Sequence, residues 1–224
     1  MDFTDVSNKY NHMSPEIETH VKALEEVIKG TGVPLEGNSF YYHNSLTRFE
    51  QLLTKQINLF WAGSQAKKKM LEIGFNAGHS SLLFLAANSG ATELTLFDLG
   101  GHAYVRPCVE YIRNQFPSVN MTYIEGDSTR TLPAFVAENK DKKGTYDLVH
   151  VDGGHDRDVV LSDVSSAIDL VAPGGLMILD DTNIDYISDI ADACVSSGAF
   201  VEEKILDTIG YQHRILRRML STAK

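Results

Sequence analysis

Only two cysteines occur in the 224 residues, Cys108 and Cys194, far apart and without CxxC spacing. They fit reduced thiols in a cytoplasmic protein better than a disulfide framework. Positive charge is also scarce: 20 Lys and Arg stand against 30 Asp and Glu, a net charge of −10. Nucleic acid and anionic membranes attract clustered positive charge, so neither is an expected partner. The short basic groups, Lys67 to Lys69 and Arg214, Arg217 and Arg218, read as solvated rims. No apolar run approaches the roughly 20 residues that span a bilayer. The opening MDFTDVSNKYNHM is polar and acidic, with no apolar signal core. Missing as well is the dinucleotide fingerprint GxGxxG, because Asn76 stands two positions after Gly74. An NAD-linked oxidoreductase is disfavoured on that ground.

What is present is an alternation. Short apolar runs at Met70–Ile73, Glu93–Asp98, Asn120–Glu125, Tyr146–Asp152 and Leu176–Asp180 are separated by helical patterns at 78–89, 103–115, 129–139, 158–171 and 185–197. Such alternation predicts βαβ units and a parallel sheet covered on both faces. The unbroken apolar character of LVHV and LMIL agrees, since strands buried on both faces do not alternate. Phe200–Leu206 and Tyr211–Leu216 have only DTIG between them, which predicts a terminal antiparallel hairpin. Residues 1–65 carry two further helical patterns, 15–29 and 44–62, and are expected to form an N-terminal extension or lid on a core at 66–224. The bridge between them, GTGVPLEGNSFYYHN, is rich in glycine and aromatics and is a loop or lid candidate.

Polar residues collect where these strands end. MLEIGFNAGHSS places Gly74 and Gly78 in a tight turn between a strand and a helix, so that backbone N–H groups face a ligand. The next strand ends at Asp98, about 20 residues on, where an acid accepts hydrogen bonds from ribose hydroxyls. The third ends in EGDS, with Asp127 and Ser128. Ligands of open α/β sheets bind outside these carboxyl ends. The fourth strand gives VDGGH, ending at Asp152, and the fifth gives the adjacent pair Asp180 and Asp181. Clustered carboxylates raise one another's pKa unless a positive group lies between them. Oxygen donors suit Mg²⁺ best, with Ca²⁺ or Mn²⁺ as further candidates, over zinc.

Taken in order, these motifs resemble the S-adenosylmethionine (SAM) site of class I methyltransferases over roughly residues 45–219. The resemblance implies a Rossmann-like α/β fold with a mostly parallel seven-stranded sheet and a C-terminal antiparallel hairpin. It implies SAM contacts at Glu72, Gly74, Asn76, Gly78, Ser80, Asp98, Asp127, Ser128 and Asp152. VDGGH followed by PGGLMILDDT is similar to the metal-dependent O-methyltransferases of the catechol and caffeoyl-CoA type. That likeness implies metal ligands at Asp152, Asp180 and Asp181, with Asp181 standing where the family usually has Asn. It also places His155 where those enzymes carry a proton-removing lysine. An ordinary imidazole titrates near pH 6.5 and accepts a proton at neutral pH. His155 is therefore the expected catalytic base, whereas His150, inside an apolar run, is expected to be a satisfied core residue. His43, Asn44 and Arg48 are candidates to reach the methionine carboxylate or the substrate.

The leading expectation is a SAM-dependent, divalent-metal-assisted O-methyltransferase. Its partner would be a small hydroxylated molecule, catechol-like or another vicinal diol, and a homodimer is possible. Alternatives are a metal-independent N- or carboxyl-methyltransferase of the same fold, an NAD-linked oxidoreductase and a non-catalytic SAM-binding module.

Overall fold

The computed structural model describes residues 3–37 and 39–220. Residues 1 and 2, Asn38 of the expected lid loop and the last four residues of the expected core lie outside the described residues. The chain runs α1 (Phe3–Thr31), α2 (Leu53–Gln65), β1 (Lys69–Ile73), α3 (His79–Ala87), β2 (Glu93–Asp98), α4 (Val105–Gln115) and β3 (Asn120–Glu125). It continues through α5 (Ser128–Glu138), β4 (Tyr146–Val151), α6 (Arg157–Leu170), β5 (Val171–Leu179), α7 (Asp185–Ser196), β6 (Phe200–Glu202) and β7 (Arg214–Arg218). The seven strands form one sheet in the order β3-β2-β1-β4-β5-β7-β6. Strands β1 to β5 pair in parallel, and β7 inserts antiparallel between β5 and β6.

The chain reverses direction along the sheet between β1 and β4, which pair through Met70↔Leu148 to Ile73↔Val151. At such a switch point the loops after the two strands diverge and leave a crevice. One apolar cluster packs α1 to α4 on the sheet through residues such as Leu24, Phe60, Phe84 and Ile112. A second, including Leu132, Val164, Leu170 and Ala191, joins α5, α6 and α7 to Phe97 and Val149 of the sheet. Each fully buried large side chain contributes about 1.5–3 kcal/mol of transfer free energy, so both faces are held shut while polar strand ends stay at the crevice.

The expected elements are present, with five larger changes of boundary, one of them at β5, which begins at Val171 rather than Leu176. The first helix is not 15–29 but Phe3–Thr31, because Val6, Tyr10, Ile17, Val21, Leu24 and Ile28 form one buried stripe that continues past Pro15. The second helix begins at Leu53 rather than 44. Residues 40–49 fold back as a turn instead, with Asn44 at φ 55° and the Phe49 amide donating to the Phe40 carbonyl at 3.0 Å. Strand β6 stops at Glu202 instead of 206, because Asn58 of α2 binds both backbone groups of Leu206, at 2.8 and 3.0 Å, and draws it off the sheet. Strand β7 starts at Arg214 rather than 211, after Tyr211 at φ 45° breaks the extended backbone. Among the described residues no helix is long and apolar enough to cross a membrane.

Candidate active site

The glycine turn follows β1. Gly74 and Gly78 have φ of 89° and 80°, and Asn76 between them has φ 52°. The Asn76 amide donates to Asp98 Oδ2 at 2.7 Å, and the Gly100 amide donates to Asp98 Oδ1 at 2.7 Å. Asp98 therefore ties together the loops after β1 and β2. The Asn76 side chain donates to the Gly37 carbonyl at 2.6 Å, and the Glu36 amide donates to the Tyr104 hydroxyl at 3.2 Å. These bonds hold Glu36 and Gly37 against the loops after β1 and β2. Asn76 Oδ1 is buried without a hydrogen-bond partner. A left-handed glycine cradle, a ribose-height acid and an orphaned acceptor fit an amine-bearing nucleoside ligand such as SAM.

The other expected cofactor residues divide. Glu72 is fully buried in the sheet and accepts from Ser80, Ser81 and His150 Nδ1, the last at 2.9 Å. Glu72 and Ser80 thus sit behind the turn, holding it from within. Asp127 caps α5, accepting from the Thr129 amide at 2.9 Å and its hydroxyl at 2.7 Å. Those bonds hold its carboxyl below the usual range. Ser128 donates to Asp163 at 3.1 Å.

Beside the turn, a small open cleft is lined by Asp152, His155, Asp180 and Asp181 together with Val160 and Ile187. Asp180, just past β5, is buried, and both of its oxygens meet the Lys55 ammonium of α2, at 2.8 and 2.6 Å. His150 lies between, its Nδ1 on Glu72 and its Nε2 3.6 Å from Asp180. Farther out, His155 Nε2 is 2.8 Å from Asp181, which stands at φ 54° and so turns its carboxylate away from Asp180. Donor atoms of His150, Asp152 and Asp180 lie within 4.8 Å of one another, as do those of Asp152, His155 and Asp181. Asp152 is common to both triads, and Asp180 and Asp181 fall in different ones. In the outer triad the two carboxylates are hard oxygen donors that fit a divalent cation, with His155 beside them at the rim. In the inner one Asp180 is already paired with Lys55, while His150 is held through Nδ1 on Glu72 and its buried Nε2 makes no hydrogen bond.

The charges follow this arrangement. Burial opposes the Lys55 ammonium, but Asp180 and Asp152 outweigh it and raise its pKa. Burial also opposes the His150 imidazolium, yet Asp180 and Glu72 push it up to about 10. Asp181 pushes His155 up to about 9. Burial and the nearby Asp180 carry Asp152 well above the usual carboxylate range. Paired with Asp181 in this way, His155 is an imidazolium at neutral pH, so it can accept a proton only when the charge of Asp181 is engaged elsewhere.

Two further histidines behave oppositely. His79, the first residue of α3, is buried between Phe40 and Tyr41 with neither ring nitrogen bonded. Burial, with the nearby Arg48, lowers it to about 3. His213 is lowered to about 4, chiefly by burial. Both are neutral when folded and protonate near 6.5 when unfolded, so the unfolded chain binds more protons in acid and stability falls as pH drops below about 6.5. For His79 alone the loss reaches about 2 kcal/mol by pH 5. Urea unfolding at pH 7.5 and 5 is expected to show this drop reduced in His79→Phe; an unchanged drop would mean that His79 is hydrated.

Lys55 and His213 were not among the expected site residues, and Glu72 has a different setting. The signal for Lys55 was available: it lies three residues after Leu52 and four before Leu59, on the apolar face of α2, where an unpaired lysine is rare. His150 is fully buried, as expected of a core residue, but its second nitrogen faces the cleft network. Of the lid candidates, Arg48 is paired with Glu18 at 2.6 Å and lies over the Tyr41 ring at 4.7 Å. His43 and Asn44 lie in the exposed turn.

This geometry has relatives. An O-methyltransferase from Bacillus cereus, solved with S-adenosylhomocysteine, superposes with a TM-score of 0.61 at 16% identity over 90% of either chain. TomG of Streptomyces achromogenes, an O-methyltransferase of tomaymycin synthesis solved with SAM, gives 0.57 at 17%, covering 74% of this chain and 79% of its own. The TDP-rhamnose 3′-O-methyltransferase CalS11 of calicheamicin biosynthesis gives 0.56 at 15%, over 75% and 81%. At these identities the likeness establishes the Rossmann-like methyltransferase fold. No curated protein sequence matches the chain. The family profile of a methyltransferase domain matches residues 71–182, half of the chain, from the glycine turn through the paired aspartates. The chain belongs to that methyltransferase-domain family.

Proposed function

We propose that the protein transfers a methyl group from SAM to a hydroxyl oxygen of a small molecule bearing two adjacent oxygens, with a divalent cation at the aspartate edge. One observation carries this reading: the acids that end β4 and β5 line one cleft, and Asp152 among them lies in close backbone contact with Gly74, in the turn that Asp98 ties down. In it, Asp98 holds the ribose, the Gly74–Gly78 turn follows the methionine part, and Asp152 and Asp181 face the acceptor. A bound cation would lower the pKa of the acceptor hydroxyl. His155 Nε2 holds or receives the acceptor proton, and the walls of the cleft fix the oxygen in line with the sulfonium methyl. The groove behind Thr182, lined by Leu206, Thr208, Gln212 and His213, gives the rest of the acceptor a partly polar seat. The O-methyltransferase relatives described above are consistent with oxygen as the acceptor atom.

A second reading, methyl transfer without metal, is favoured by the cluster's own cations. Lys55, His150 and His155 already face Glu72, Asp180 and Asp181. Titration calorimetry with SAM, with and without Mg²⁺ and repeated on Asp181→Ala, tests both. Under the first reading SAM binds, Mg²⁺ gives a separate heat that the variant loses, and EDTA abolishes turnover of a vicinal diol. Turnover that survives EDTA selects the second, and absence of SAM binding rejects both.

A further inference from the structure

Two donor triads share Asp152, and beside Asp180 the fold already supplies a lysine ammonium at bonding distance. Lys55 reaches Asp180 from α2, a helix buried on nearly all sides, and its side chain is only 6% exposed. Its Nζ contacts both carboxylate oxygens, at 2.6 and 2.8 Å, and the Asp181 amide donates to Oδ1 at 2.9 Å. On the other side the His150 imidazole lies 3.6 Å from Oδ2 and is anchored through its second nitrogen on Glu72. Asp180 is enclosed by positive and donor groups that the fold itself supplies. Asp181, one residue on, turns outward through its left-handed backbone and faces His155 at the rim.

We propose that Lys55 is a positioning residue that occupies the cation place beside Asp180. It holds that carboxylate as an internal ion pair, outside any metal's coordination. A divalent ion is thereby confined to the rim, on Asp152 and Asp181. A metal bound to Asp180 would compete with the buried ammonium for the same carboxylate and force two cations together at roughly bond distance, which is strongly unfavourable in a low-dielectric interior. Asp180 then works by fixing: it anchors α2 to the end of β5 and sets the backbone from which Asp181 projects. The inference rests on the metal-assisted reading of the function and specifies which aspartates serve it.

The test is Mn²⁺ binding, followed by the electron paramagnetic resonance of the free ion, in the full-length protein and four variants. Asp181→Ala, which removes the oxygen donor, is expected to weaken Mn²⁺ at least about tenfold. Lys55→Met/Asp180→Asn removes both charges of the pair together, so no buried ion is left unpaired and the fold is retained. Its Mn²⁺ affinity is expected to stay within about twofold of the parent, whereas a ligand substitution moves it by the tenfold or more already stated. Lys55→Met alone frees a third carboxylate and is expected to tighten Mn²⁺ about tenfold, a gain that the double variant does not show. Lys55→Arg keeps the charge and is expected to bind as the parent does. If the double variant loses Mn²⁺ as Asp181→Ala does, Asp180 is a ligand and the inference is overturned while the functional reading stands. A parent protein that binds SAM but no Mn²⁺ removes the metal from the functional reading and overturns this inference with it.

Discussion

Asp180→Ala is expected to lower the stability of the folded protein by about 3–5 kcal/mol, the cost of removing one partner of a buried ion pair, and the melting temperature by roughly 10 °C for a chain of this size. The reason lies in what remains. Without the carboxylate, the Lys55 ammonium keeps no partner at bonding distance, and His150 retains only Glu72. Burial alone would raise the Asp180 pKa, but Lys55 and His150 outweigh it and hold the carboxyl well below the usual range. A depressed carboxyl contributes stability above its unfolded pKa near 3.9 and loses it as pH falls toward the folded value. At pH 7 that contribution is complete. His150 has the opposite sign: with a folded pKa of about 10, its contribution is full below 6.5 and lost as pH rises through 10. The gap between parent and Asp180→Ala should therefore be widest at about pH 5–6, between the two unfolded values, and narrower at pH 10.5, as read by urea unfolding. A melting temperature within about 2 °C of the parent at pH 7 would mean that Lys55 finds water, and that the pair is not the anchor of α2.

The same cluster explains what could be read from the amino-acid order and what could not. Strands buried on both faces appear as apolar runs, so β1, β2, β4 and the end of β5 were legible to within a residue or two, and with them the acids that follow. Asp98, Asp152, Asp180 and Asp181 stand at carboxyl ends because a carboxylate one residue earlier would be inside the sheet. Glu72 is the exception that shows the rule: it is inside, and Ser80, Ser81 and His150 all hold it there. What periodicity did not disclose is pairing across long separations. Lys55 and Asp180 are 125 positions apart. The order of residues places each on an apolar surface, but only the packing of α2 against the end of β5 brings them together. The partition of three aspartates into two triads was equally invisible, because it depends on the single left-handed φ of Asp181. The early end of β6 was hidden too, since Asn58, a residue of another element, decides it.

Gly74→Ala is expected to abolish SAM binding, weakening it at least about 100-fold, or about 2.7 kcal/mol, and to destabilise the domain. Two causes act, and they can be separated. Gly74 has φ 89°, a left-handed conformation that costs a residue with a Cβ roughly 1–2 kcal/mol. The second cause is the larger: a Cβ there would lie 1.8 Å from the Asp152 carbonyl oxygen and 2.5 Å from its carbon. Both are backbone atoms, held by the Asp152 amide bonded to Ile73 at 2.9 Å and the Gly74 amide bonded to Phe97 at 2.8 Å. No rotamer relieves the clash, so the ends of β1 and β4 must part. Gly32→Ala is the control: it has φ 70°, and its Cβ would meet nothing within 4 Å, so only the backbone cost applies. Calorimetry with SAM and thermal unfolding of the two variants then isolate the contact. If Gly74→Ala binds SAM no worse than Gly32→Ala does, the close approach of β1 to β4 is incidental. If it fails as expected, this glycine sets the distance between the cofactor turn and Asp152, and hence between the methyl donor and the acids that receive the acceptor.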